Sequence, residues 1–100
     1  MEIKKTTEGN TVTLALKGRL DTITSSQLEE ELENVFDKEQ VELIFDFSAL
    51  DYISSSGLRV LLSAQKKVNA METNMKIIGA NDVVKEIFDA TGFTKIMDLS

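Results

Sequence analysis

The sequence contains no histidine and no cysteine. These absences together exclude the usual zinc sites, thiolate chemistry, disulfides and serine-histidine-aspartate hydrolysis, because each requires an imidazole or a thiol. Basic residues are few: 11 Lys and Arg stand against 17 Asp and Glu, a formal net charge of -6. A sequence-independent nucleic-acid binder needs a basic patch, so the balance argues against direct nucleic-acid contact and for a protein partner. No apolar run is long enough for a membrane-spanning helix. Met1 to Asn10 carries Glu2, Lys4, Lys5 and Glu8 where a secretory signal needs an apolar core. Membrane insertion is therefore not expected, and the cytoplasm is the default compartment. With neither a P-loop nor a cluster of metal ligands in view, no cofactor, metal or catalytic residue is expected, and the chain reads as a binding module rather than an enzyme.

A length of 100 residues is enough for one domain with a real core and leaves no room for a second. Ile3 to Thr7 and Thr11 to Lys17 flank Gly9-Asn10, and Val12, Leu14 and Leu16 alternate with Thr13 and Ala15, which predicts a β-hairpin. After Asp21 the string ITSSQL suits a helix start, with Thr24 as N-cap, Gln27 as its capping-box partner and Ile23 stapled onto Leu28. That helix should run to about Asp37, burying Leu28, Leu32, Val35 and Phe36. Glu29, Glu30, Glu31 and Glu33 would form its acidic outer face. Asp37 to Gln40 reads as a short polar connection.

Phe45 to Leu62, FDFSALDYISSSGLRVLL, organises the rest. Val41, Leu43, Phe45 and Phe47 alternate with Glu42, Ile44 and Asp46 as in a strand with one buried face, expected to end near Ser48. From Leu58 the apolar residues take helical spacing, with Leu61, Leu62 and Val68 on the stripe and Val60, Ala64 and Met71 widening it. The period changes at Ser54, Ser55, Ser56 and Gly57, where a helix begins and its first amides lack intrahelical partners. One serine can serve as the N-cap. Three in a row beside a glycine leave at least one hydroxyl exposed on a surface suited to a phosphate, which glycine lets approach closely.

Asn74 to Gly79 predicts another core strand. A helix follows that is capped by Asn81 or Asp82, buries Val83, Val84, Ile87 and Phe88, and is stopped by Gly92. Phe93, Ile96 and Leu99 would close the core. The expected fold is α/β: a mixed sheet of four to five strands, an N-terminal hairpin and then parallel strands, packed with three to four helices. Parallel strands deliver their C-terminal ends to one edge, where Asp21, Asp46 and the serines should gather.

The run LDYISSSGLRVLL, from Leu50 to Leu62, resembles the STAS domain of bacterial anti-sigma factor antagonists. Gly18-Arg19-Leu20-Asp21 looks like the segment before that family's first helix, and Ala90-Thr91-Gly92-Phe93 with Ile96 looks like its closing segment. The resemblance covers residues 1–100 as a single STAS domain. It implies a partner-switching protein in sigma factor regulation. The unphosphorylated form would capture an anti-sigma factor serine kinase and free the sigma factor; phosphorylation at Ser55 would abolish binding, and a PP2C-type serine phosphatase would reverse it. Ser54 stands where many relatives have Asp, so Ser54 and Ser56 remain alternative acceptors. The partner-binding residues implied are Asp21, Ser54, Ser55, Ser56, Gly57, Leu58 and Arg59. The competing reading is a STAS-type subunit of a lipid or anion transport system, without a phospho-switch.

Overall fold

The fold was read from a computed structural model that describes residues 1–37 and 40–99. Apolar residues at every second position of the strands face one way, and this sets the architecture. Val12, Leu43 and Met75 lie side by side across three strands, as do Leu14, Phe45 and Ile77, and all six are buried. The alternate rows, Thr13 with Ile44 and Lys76 and Ala15 with Asp46 and Ile78, are only half-buried or exposed. The helices therefore gather over a single sheet face.

Strands β1 (Glu2–Glu8) and β2 (Thr11–Leu20) form the expected antiparallel hairpin. Helix α1 (Thr22–Val35) leads to β3 (Glu42–Ile53), α2 (Ser55–Ala70) to β4 (Met75–Ile78), and α3 (Asp82–Thr91) through a short 3-10 turn (Phe93–Lys95) to β5 (Asp98–Leu99). The sheet order is β1-β2-β3-β4-β5, with every pair after the hairpin parallel. This is the mixed α/β sheet that the element order predicts, with five strands and three α-helices. The core joins Leu28, Leu32 and Val35 of α1, Leu61, Ala64 and Val68 of α2, and Val84 and Phe88 of α3 to the strand residues. Phe88 stacks on Phe47 with ring centroids 6.5 Å apart.

Several boundaries differ from the sequence reading. β3 continues past Ser48 for five more residues, because Lys17 to Leu20 of β2 run alongside and supply its hydrogen-bond partners. Two register shifts in that stretch break the alternation, which is why the period of two ends while the strand does not. The N-cap of α1 is Asp21, not Thr24, and Ile23 is 84% exposed, so no staple onto Leu28 forms. α1 stops at Val35, short of Asp37, and residues 38 and 39 of the expected polar connection lie outside the described residues. In α3 Val83 faces solvent, and near the C-terminus Ile96 is exposed while Met97 takes the buried place. Asn81 is the α3 cap, and Gly92 ends the helix in the left-handed conformation, φ 78°, as a helix-stopping glycine should.

Candidate functional site

β2 and β3 are parallel, so the chain leaves both at the same edge of the sheet and enters α1 and α2 there. The two helix starts are tied together by the strands beneath them, for the Ser54 amide donates to the Leu20 carbonyl at 2.8 Å. Above this bond, the Thr22 and Ser56 hydroxyls lie 3.5 Å apart. Gly57 sits in the angle between them. A Cβ there would lie 2.7 Å from Leu20 Cγ and 2.9 Å from Ile53 Cγ1, closer than side chains can pack, so only glycine lets α2 approach the strand ends this tightly.

The three serines have different tasks. Ser54 is the N-cap, its hydroxyl accepting from the Gly57 amide at 3.3 Å. Ser56 is half-buried and meets Thr22. Ser55, the first residue of α2, is exposed, and its hydroxyl makes no hydrogen bond among the described residues. No acidic residue stands in the first turn of α2. The positive end of its dipole is thus left uncompensated by any carboxylate of its own turn, an environment that favours a negative charge.

Asp21 has its carboxylate engaged locally, accepting from the Ile23 and Thr24 amides at 3.0 Å each. The Thr24 hydroxyl answers by accepting from the Asp21 amide at 2.8 Å, which completes a reciprocal capping box. The bond from the Thr24 amide is the main cause holding the Asp21 carboxyl below its usual range. Desolvation opposes it, while the Thr24 hydroxyl, the Ile23 amide and the Arg19 charge assist. Arg19 itself lies over the Tyr52 ring, 4.5 Å from its centroid, where β2 and β3 run out.

The structure thus brings Asp21, Ser54, Ser55 and Ser56 to one edge. Gly57 and Leu58 lie beneath that surface: both are buried, and they serve the packing of α2 rather than its outer face. Gly57 therefore does not offer the open backbone expected of it. Arg59 is exposed and borders a groove of about 530 Å³ between α1 and α2, with Glu29, Glu33 and Lys67 along its rims. Asp46 does not join the group. Seven strand residues separate it from the end of β3, up to about 23 Å of extended chain. Its carboxylate accepts from the Ser48 hydroxyl and, at 2.9 Å, from the Ser48 amide, and these bonds hold its pKa below the usual range. Sequence reasoning missed Thr22 and the true role of Thr24. The spacing of Asp21 and Thr24, three residues apart at a strand end, was the available signal for the capping box.

The family model for the STAS domain matches residues 2–100. The chain belongs to the STAS family. A relative with the name "Putative anti-sigma factor antagonist BtrV", from Bordetella bronchiseptica, is 33% identical over 85 residues, which span 85% of this chain and 73% of the relative. Among solved structures, the anti-sigma factor antagonist SpoIIAA in its unphosphorylated form superposes with a TM-score of 0.85 at 20% identity, covering 99% of this chain and 88% of that one. The Bacillus cell fate determinant SpoIIAA in its phosphorylated form superposes with a TM-score of 0.78 at 19% identity, covering 99% and 91%. These likenesses place the fold of the chain in the STAS architecture. Among the described residues no helix is long and apolar enough to cross a membrane, and no group of three or more acidic residues could hold a metal ion.

Proposed function

We propose that this STAS domain is an anti-sigma factor antagonist whose partner binding is switched by phosphorylation of Ser55. The observation that carries the reading is the division of labour among the serines. Ser54 is engaged as a cap and Ser56 lies against Thr22, while the Ser55 hydroxyl stands exposed at a helix start with no acid in its first turn. The name of the 33% identical relative supports this reading over a subunit of a lipid or anion transport system.

In the unmodified state the edge formed by Asp21, Ser54 to Ser56 and Arg59 docks on an anti-sigma factor that is also a serine kinase, and the sigma factor is released. Phosphoryl transfer then joins Ser55 Oγ to the γ-phosphorus of ATP as the bond to ADP breaks and the hydroxyl proton leaves. The phosphoserine carries about −1.5 to −2 charges at neutral pH. The helix start tolerates this charge, whereas the kinase surface does not. A carboxylate about 6 Å away would repel each unit charge by roughly 3 kcal/mol at an effective dielectric of 20, before screening. Reversal belongs to a PP2C-type serine phosphatase. The domain itself binds rather than catalyses, makes no direct contact with nucleic acid, and works in the cytoplasm beside the transcription machinery.

Incubation with candidate anti-sigma factor kinases and ATP, followed by intact-mass measurement, tests the assignment. A single gain of about 80 Da, one phosphoryl group, is expected for the wild-type chain and none for Ser55→Ala. An equal gain in the variant would move the acceptor to Ser54 or Ser56.

A further inference from the structure

Three large apolar side chains are exposed in the described structure, and they are not exposed alike: Val83 and Ile96 each at 51%, Ile23 at 84%. Ile23 contributes almost nothing to the core. It sits in the first turn of α1, a position that asks for no apolar residue and gives a β-branched one no helix-forming advantage. It is also held in place from both sides. Its own amide donates to Asp21 at 3.0 Å, and the next residue, Thr24, closes the capping box, its hydroxyl also lying 2.8 Å from the Arg19 carbonyl, to which it can donate. The residue before it, Thr22, reaches Ser56, one position beyond the proposed acceptor.

From this placement we infer that Ile23 is the apolar anchor by which the anti-sigma factor kinase docks beside Ser55. The inference rests on the function proposed above and names a recognition residue for the same site. A kinase must bring the γ-phosphorus of ATP to within about 3–3.5 Å of the Ser55 hydroxyl. A stable interface buries about 800 Å² on each partner, a patch roughly 30 Å across. A surface of that size centred on Ser55 extends over the neighbouring helix start, where Thr22 meets Ser56 and Ile23 follows it in the first turn of α1. Covering an exposed isoleucine whose backbone is already fixed by the capping box releases its hydration shell without the cost of ordering a loop, and that is how an anchor contributes. Its contribution carries no charge. It therefore holds the partner in register while the charge on Ser55 decides whether the complex persists.

The test titrates the kinase that modifies the wild-type chain, loaded with a non-hydrolysable ATP analogue, against wild type, Ile23→Ser, Ile23→Val and Ile96→Ser. Ile96 is the control because it precedes β5 and so lies at the opposite edge of the parallel strands. Ile23→Ser is expected to weaken binding by about tenfold or more, Ile23→Val by no more than about threefold, and Ile96→Ser not measurably. Thermal melts should superimpose for all four proteins, because both positions are exposed. Ile23→Ser binding as tightly as wild type would overturn the anchor while leaving the switch intact. A loss shared by Ile96→Ser would reject it equally, as a general surface effect. A wild-type chain that no anti-sigma factor kinase binds or modifies would sink the proposed function, and the anchor with it.

Discussion

At the start of α1 a carboxylate accepts from two amides at 3.0 Å each, and a threonine hydroxyl completes the box. At the start of α2 one serine hydroxyl accepts from one amide at 3.3 Å, and no acid stands in the first turn. α3 resembles α1 in carrying an acid, with Asp82 in the turn that Asn81 caps. Helix starts present the same free amides and the same partial positive charge, so the difference lies in what compensates them. α1 and α3 bring their own carboxylates and have no need of an anion. α2 carries none, and the serine that follows its cap is the exposed one. A phosphoryl group added at Ser55 would therefore supply α2 with the negative charge that Asp21 supplies to α1. That is a physical reason for a charge-adding modification to leave the domain folded.

The comparison is tested most severely by phosphorylating Ser55 and measuring partner affinity and stability on the same samples. Affinity should fall about a hundredfold or more, since each 1.4 kcal/mol is tenfold. Urea melts should shift by under about 1 kcal/mol. Unchanged affinity would remove the electrostatic switch. A stability loss of several kcal/mol would mean that the charge unwinds the start of α2, so that α2 does not mirror α1.

A smaller effect concerns why α2 can sit where it does. Gly57→Val should destabilise the fold by about 2 kcal/mol, because the added carbons meet Leu20 and Ile53, both at most 1% exposed and unable to yield. Denaturation of this variant beside Ser56→Ala, which adds no volume, gives the measurement. Equal stability of the two would show that the α2 start is not wedged against the strand ends.

The smallest effects come from removing the caps themselves. Ser54→Ala should cost about 0.5–1 kcal/mol, at the low end for a cap because its bond is long. That cost should not vary with pH. Asp21→Ala should lower the melting temperature further, and its effect should be pH-dependent. The folded Asp21 carboxyl lies below its usual pKa, so its contribution is present above about pH 4 and is lost as pH falls through the folded value. The melting temperatures of wild type and Asp21→Ala should therefore converge in acid while those of wild type and Ser54→Ala stay apart. The common Asp46 titration cancels in both differences.

Much of this domain is legible in its sequence. The alternation through Val12 to Leu16 and Val41 to Phe47, the shift to helical spacing after the serines, and Gly92 as a stop each depend on near neighbours in the chain, and each appears in the structure. The family resemblance was carried by three short segments, one of which, Leu50 to Leu62, included the candidate site. What escaped were features decided by residues far apart in sequence. β3 extends past Ser48 because β2 is there to pair with it, and the bulges that accommodate the pairing erase the periodicity a reader would follow. The cap of α1 was misplaced because Thr24 and Asp21 both suit the role, and their reciprocal bonds choose between them only once the chain has turned.

The serine triplet marks the same boundary. From residue type and spacing alone, Ser54, Ser55 and Ser56 are equivalent hydroxyls at a helix start, and the sequence determines that a cap and a spare hydroxyl must both be among them. Which is which depends on the direction each side chain takes as α2 leaves β3. Tertiary packing sets that direction: Gly57 lies against Leu20, Ser56 turns toward Thr22 of the neighbouring helix start, and Ser55 is left facing solvent. Local sequence encodes periodicity and capping because these act over three or four residues. The orientation of one hydroxyl beside another depends on how two helices and two strands meet, and only the folded chain brings them together.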